Sequence, residues 1–424
     1  MAQGPSLIFD KSSLESLNLD EAVMMDNFYM STITPLFFVE CLADLEKSIR
    51  SKSTPEQLVG SLANRTPDVQ GNPNAHHLHI LQAELYRQFD ITQVMGRVAL
   101  AGGRAVQLGD KQGVVYQQSE EADAFMRWSR REFLEVERDI AKRWRRSLTA
   151  IDFEKMVTRV SEEIGPWRLP KSLTDAKQIA DTVIDYLDPE FLLSFGLDLL
   201  GVPETTEDVV NDWKQRRKPN LREHVPYFVF LLTINIFFCL VLPTQLLRNV
   251  KPSHRVDLAY LYYLPFCSVF TSKDNFHAQI VPLFLGPMQD FINGIDFKDD
   301  MKRLAAYYSA LPEETLKMGL SSFATHPPED NSFITTRMWD KYLPRWRAFK
   351  NEPKKPRDPE EDKRTVERLK QMSDSPELRP GNENAPMDSA DYVALKREIW
   401  PRKGKWLRFS EDQIRRMQER DDAE

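Results

Sequence analysis

Ser6-Leu7-Ile8-Phe9-Asp10-Lys11-Ser12-Ser13, near the start of the chain, has a counterpart far along it in Cys267-Ser268-Val269-Phe270-Thr271-Ser272-Lys273-Asp274. An apolar run without alternation, closed by small polar residues, reads as a strand buried on both faces that delivers an acid to its C-terminal end. That edge of an open α/β sheet is where ligands gather. Two further acids in apolar surroundings, Glu40 and Asp257, fall on segments that read as helical and can point at the same place. Carboxylates crowded together repel and raise one another's pKa unless a divalent cation joins them. Asp10, Glu40, Asp257 and Asp274 therefore read as a hard-metal centre acting on phosphate, with Mg²⁺ or Mn²⁺ as the cation.

The rest of the composition narrows the setting. With 424 residues the chain can hold two or three domains, or one enlarged domain with a tail. A net charge of −7 leaves no global basic field, so any contact with nucleic acid must come from a local patch. Cys41, Cys239 and Cys267 are far apart and apolar in context, giving neither a disulfide framework nor a paired metal motif. They fit a reducing cytoplasm. Tyr227 to Leu242 is almost wholly apolar and lies between Pro226 and Pro243. It is shorter than the roughly 20 residues of a membrane helix and carries Asn235 at its middle. A buried helix is the favoured reading and a membrane span the other.

Residues 5–50 read as strand, short helix and longer helix, with Thr34-Pro35 opening the second helix and placing Glu40 and Asp44 on one face. Residues 51–75 read as a polar loop. A mostly helical stretch follows, interrupted near 101–117 by a glycine-bearing hairpin and including one long helix over 119–148. Residues 220–300 return to the apolar style of the N-terminus, with a short helix at Asp257–Leu264 before the strand that ends at Asp274. The segment 351–390, rich in Pro, Glu, Lys and Asp, reads as a disordered linker.

The order and spacing of these pieces resemble the PIN-like domain, a metal-dependent nuclease fold. The matching positions are Asp10 with Ser12, then Glu40, then Asp257, then Ser272-Lys273-Asp274-Asn275-Phe276. The resemblance covers about a third of the chain and departs from the pattern in the wide separation of Glu40 and Asp257. It implies a helix-dominated α/β chain, with a three-layer α/β/α core and short parallel sheet built from 5–50 and 220–322. A mostly helical insertion would occupy 51–219, an extension 323–350, and a basic, aromatic tail 391–424. It also implies an endoribonuclease in which Asp10, Asp257 and Asp274 hold the metal and Glu40 ligates it or orients the attacking water. Ser12 and Ser272 would bond carboxylates or phosphate, and Asp44 would be an extra ligand. RNA is the implied polymer, with single-stranded DNA as a second, and a homodimer or an inhibitory protein partner is the kind of association such domains form.

Other groupings carry less. His76, His77 and His79 lack further ligands at metal spacing and read as a helix N-terminal surface, while His277 reads as a helix or core histidine within reach of the acids. On 119–148 arginines and tryptophans alternate with Glu132, Glu135, Glu137 and Asp139, which favours a salt-bridged helix over a nucleic-acid surface. Arg402, Lys403, Lys405, Trp406 and Arg408 form a patch without internal acids and are the better candidates for nucleic-acid contact. Besides the ribonuclease, two readings stand: a PIN-like scaffold that binds RNA or protein without catalysis, and a membrane-associated protein anchored through 227–242.

Overall fold

Leu7, Ile8, Phe9, Val269 and Phe270 are all fully buried, so both apolar runs lie inside a sheet covered on its two faces. The structure is a computed structural model and describes residues 4–46, 53–87, 96, 98–100, 103–108, 111–149, 153–164, 168–247, 254–350, 391–395 and 397–421, with a few positions between 360 and 371. In chain order, β1 (Ser6–Phe9), β2 (Met30–Ile33) and β3 (Asn72–Pro73) are followed by a separate antiparallel hairpin, β4 (Gly103–Leu108) and β5 (Lys111–Tyr116). Strands β6 (Val269–Ser272) and β7 (Asp290–Asn293) complete a five-stranded sheet of order β3-β2-β1-β6-β7, with every pairing parallel. Register sets Leu7 against Val269 and Phe9 against Thr271, so β1 and β6 end side by side. The chain builds outward from β1 to one side and then resumes on the other. The strand order therefore turns back between β1 and β6, and the C-terminal ends at such a point are where open α/β sheets place their ligands. The chain is a helix-dominated α/β protein.

Local chemistry starts the helices. Asp10 caps α1 (Lys11–Ser16), and Asn18 with Glu21 forms a capping box on α2 (Leu19–Phe28). Thr34 caps α3 (Pro35–Ala43), with Pro35 in its first turn. The loop expected over 51–75 instead contains α4 (Pro55–Ala63) and β3. Thr54 and Gln57 make a second capping box there, so the polar residues are helix start signals and not loop residues. The single long helix expected over 119–148 is two helices, Glu120–Ser129 and Glu135–Thr149. Between them Arg131 adopts φ +67°, and the Glu132 and Arg131 N–H groups close back onto the Arg127 and Trp128 carbonyls. The fold-back lets buried Glu137 accept from Arg127 Nη2 at 2.8 Å, Trp128 Nε1 at 3.0 Å and the Leu134 N–H at 2.8 Å.

The apolar segment near 227–242 is the 16-residue helix Pro226–Val241, most of it buried. Among the described residues no helix is long and apolar enough to cross a membrane. Its first turn has no cap in its own sequence. Glu84, from α5 (His77–Leu85), supplies one by accepting the Tyr227 and Phe228 N–H groups, each at 2.8 Å. Asn235 is satisfied inside the core by Tyr262 and by Arg255 Nη1 at 2.6 Å. One apolar core runs from Leu7 to Trp406 and includes residues from the intervals 51–219 and 323–350. The interval 351–390 lies mostly outside the described residues.

After that interval the chain returns to the molecule. β8 (Tyr392–Leu395) pairs in parallel with β5, and β9 (Arg402–Lys403) pairs with β10 (Trp406–Leu407). Trp406 is buried and donates its indole N–H to Asp20 at 3.0 Å. Arg408 Nη2 reaches Asp26 at 2.6 Å and Asp68 at 2.5 Å, while Lys403 Nζ reaches Asp68 at 3.1 Å and the Thr66 carbonyl at 2.6 Å. Burial drives the Asp26 carboxyl up, and neighbouring Asp68 adds to it. Burial also opposes ionisation of Asp68, but Lys403 and Arg408 hold it well below the usual range. Removing the guanidinium would leave two adjacent buried carboxylates. Arg408→Met is expected to cost about 3 kcal/mol of folding stability by chemical denaturation; a loss below ~1 kcal/mol would show that Lys403 alone suffices to hold the cluster.

Candidate active site at the sheet edge

This C-terminal edge is built on Asp10. Its Oδ1 accepts the Ser13 N–H at 2.9 Å, and its Oδ2 accepts the Ser12 hydroxyl at 2.8 Å and the Ser272 hydroxyl at 2.7 Å. Ser12 also accepts the Lys273 N–H at 3.2 Å, and Ser272 accepts the Asp274 N–H at 3.0 Å, so the ends of β1 and β6 are laced together. Asp274 caps the helix Asn275–Ile280 through the Phe276 N–H at 2.8 Å. Gly294 presses against the same turn: a Cβ there would stand 2.8 Å from Lys273 N and 2.9 Å from the Ser272 carbonyl carbon, closer than packing permits.

Beneath these groups lies His277, with no exposed surface. Its Nε2 is 2.7 Å from the Asp257 carbonyl oxygen and therefore donates. Its Nδ1 is 2.8 Å from Ser272 Oγ and 3.4 Å from Asp10 Oδ2. Because the Ser272 hydrogen goes to Asp10, the hydrogen-bond pattern assigns a proton to Nδ1 as well, which makes the ring an imidazolium. Burial disfavours that charge, but the bond to Asp10 and the charges of Asp10 and Asp257 push the ring's pKa up to about 9. For Asp10 burial acts upward, and the hydrogen bond and charge of His277, with Ser272 and Ser12, hold it below the ordinary value.

Glu40 and Asp257 behave oppositely. Burial lifts Asp257 to about 7, with Asp274 and Asp10 adding to the rise against the pull of His277. Burial likewise lifts Glu40 to about 7, against a 2.5 Å hydrogen bond from Tyr260 and the charge of Lys11, while Asp257 and Asp10 add to it. The four carboxylates thus share one field although they come from distant parts of the chain. Asp44 does not join them: it is buried against Lys11 Nζ at 2.6 Å, and its role as an extra ligand is corrected to that of an ion-pair partner.

The donor set fits a hard divalent cation in kind. Both Asp257 oxygens, Asp274 Oδ2 and Glu40 Oε1 accept no hydrogen bond from the described residues. Among those residues no three His, Cys, Asp or Glu side chains stand in a ready-made metal-holding group. Mg²⁺ commonly takes one or two carboxylates and completes its shell with water and substrate phosphate, so two free carboxylates are enough for it.

The basic tail does not reach this edge. Lys403, Trp406 and Arg408 are buried, while Arg402 and Lys405 are exposed, Lys405 with its Nζ 3.1 Å from Asp20. Three of the five residues assigned to nucleic acid, Lys403, Trp406 and Arg408, are therefore corrected to members of an internal clasp, whose acids come from α2 and the segment after α4. His76 caps α5 by accepting the Leu78 N–H at 3.2 Å and stacks on His77. Arg127–Glu137 and Arg138–Glu56 ion pairs tie down the helices of 120–149. Against known proteins the chain stands apart: no family model, no curated protein and no solved structure matches it.

Two outcomes follow from the charges. A carboxyl raised in the folded state adds stability below its unfolded pKa, near 4, which is lost as pH rises through the folded value near 7. Asp257→Asn should match the wild type at low pH and gain on it by on the order of 2 kcal/mol by pH 7.5, allowing for partial exposure, in metal-free urea melts. A constant difference across pH would remove the raised carboxyl from the description. His277→Phe should destabilise by about 3 kcal/mol, because Asp10 loses its buried cation. Equal stability of this variant and the wild type would show that the serine hydroxyls carry Asp10 unaided.

Proposed function

We propose that this chain is a metal-dependent phosphodiesterase of the PIN-like kind, cleaving RNA at the C-terminal edge between β1 and β6. The observation that carries the reading is the placement of Asp10 and Asp274 at the ends of adjacent β1 and β6, where the strand order turns back, with the Asp257 helix tied to them through His277 and Glu40 feeling the charges of Asp10 and Asp257. The five-strand order and the helix-borne positions of Glu40 and Asp257 are in keeping with the PIN-like resemblance. Asp257 and Asp274 would hold Mg²⁺ or Mn²⁺, which supplies charge neutralisation at phosphate and an acidified water.

The chain's own residues account for the rest. Glu40, with a pKa near 7, is poised to accept a proton from the attacking water at neutral pH. Asp10 acts through structure: bonded to Ser12, Ser13 and Ser272 and paired to His277, it fixes the strand ends that present Asp274 and the helix that presents Asp257. RNA as the polymer follows from the resemblance. The engagement of Asp10 by Ser12, Ser13, Ser272 and His277 also favours a second reading, a PIN-like scaffold that binds metal or RNA without turnover.

The test is cleavage of labelled RNA and single-stranded DNA by wild type, Asp10→Asn and Asp274→Asn in Mn²⁺, Mg²⁺ and EDTA, with thermal melts as the folding control. RNA cleavage that needs metal and falls at least about 100-fold in both folded variants is expected. Cleavage that survives both substitutions would reject the site. A folded wild type that binds Mn²⁺ calorimetrically yet cleaves nothing would select the scaffold.

A further inference from the structure

At the opposite edge of the sheet, where Pro265 and Gln289 precede β6 and β7, a cleft of about 360 Å³ opens. It lies between the helix Leu173–Tyr186, the first turns of Pro226–Val241 and the segment 283–289. Its wall is apolar and aromatic. Tyr227 and Phe284 are buried, and the rings of Phe230 and Phe284 meet edge to face at 6.3 Å. The wall's neutral polar side chains already have partners. Thr233 donates to the Val229 carbonyl at 2.7 Å, and the Tyr227 hydroxyl to the Tyr262 carbonyl at 3.0 Å. Gln289 donates to the Leu264 and Cys267 carbonyls and accepts the Gly286 N–H at 2.9 Å. Water in such a space finds few partners, so apolar surface that displaces it is favoured. The volume is that of about a dozen water molecules, hence of a two-ring molecule and not of an ion.

The rim adds a donor. Lys177 Nζ bonds both Asp181 oxygens, at 2.8 and 2.6 Å, and lies 5.3 Å from the centre of the Phe284 ring. Arg222 donates through Nε to Asp185 at 2.7 Å and through Nη2 to the Asp181 carbonyl at 3.3 Å, while its Nη1 donates to no described group. Lys177 and Arg222 are thus matched by Asp181 and Asp185, with Arg222 Nη2 also 3.7 Å from Asp181 Oδ1, and what the rim offers an anion is the Arg222 Nη1 N–H pair.

We propose that this cleft binds a small aromatic carboxylate, its rings against Phe230 and Phe284 and its carboxylate on Arg222. The site lies across the sheet from the acids and does not depend on the phosphodiesterase reading.

Fluorescence titration of the full chain with 1-naphthoate, 1-naphthalenemethanol and 1-naphthylmethylammonium tests it. Saturable one-site binding of naphthoate is expected, about tenfold tighter than the alcohol, with the ammonium weakest. Gly286→Phe fills the cleft from a position where a Cβ meets only Gln289 Oε1 at 3.5 Å, so it should fold normally and abolish binding of all three. Arg222→Gln should erase the preference for naphthoate while leaving the alcohol's affinity unchanged. The proposal is overturned by a folded wild type that shows no saturable binding, by an ammonium that binds as well as naphthoate, or by undiminished binding in folded Gly286→Phe.

Discussion

A carboxylate at the end of a strand buried on both faces can stay ionised only if a cation or several donors replace the water it has lost. At Asp10 that replacement is His277, whose two ring nitrogens reach Ser272 and the Asp257 carbonyl. One ring therefore ties together the ends of β1 and β6 and the helix His254–Tyr260. The positions of Asp257 and Asp274 follow from it. Glu40 and Asp257 share the same low-dielectric edge with weaker compensation, and both rise to about 7. Neighbouring carboxyls driven apart in pKa by unequal environments are the physical basis for dividing roles between a fixed anion and a proton acceptor.

The same rule operates away from the edge. Asp26 and Asp68 are buried together and answered by Arg408 and Lys403, more than three hundred residues later. Glu137 is answered by Arg127 and Trp128, and Glu84 by the first turn of Pro226–Val241. Most of these partners are distant in the chain, and Arg408 to Asp26 spans nearly its whole length. A core whose charges are matched only after the C-terminal segment docks has many contacts of high sequence separation, and such topologies fold slowly. The clasp therefore belongs to the folding unit, although a long interval separates it from the other residues of the core.

How much of this was legible depended on how local the signal was. β1 and β6 could be read because a fully buried parallel strand leaves an unbroken apolar run, and the acids at their ends followed directly. The buried helix at Pro226–Val241 was legible from length and from Asn235. Where the signal is a neighbour in space, the sequence was silent. The tail looked like an exposed basic patch because no acid lies within it, but its acids are Asp20, Asp26 and Asp68. Gly294 shows its purpose only through its approach to the turn after Ser272, and Lys11 only through its pairing with Asp44. α4 is a different kind of miss: Thr54 and Gln57 were present as a cap, but polar composition outweighed them.

The acids and the apolar cleft occupy opposite edges of one sheet, separated by little more than the length of β6, roughly 13 Å at 3.3 Å per residue. Nearness of that order does not couple two sites, because coupling needs an element with two arrangements that each ligand favours differently. The strands here are pinned at both ends. At the N-terminal edge Ser6 and Ser268 hydroxyls meet at 3.0 Å, the Ser268 N–H donates to Ser6 Oγ at 2.8 Å, and Gln289 spans the Leu264 and Cys267 carbonyls. At the C-terminal edge Asp10, Ser12 and Ser272 lock the same two strands. A shift of β6 along β1 would break both sets at once and unpair a row of buried backbone groups. Any communication between the edges would have to pass around the sheet, through helices such as Pro226–Val241, and not along its strands.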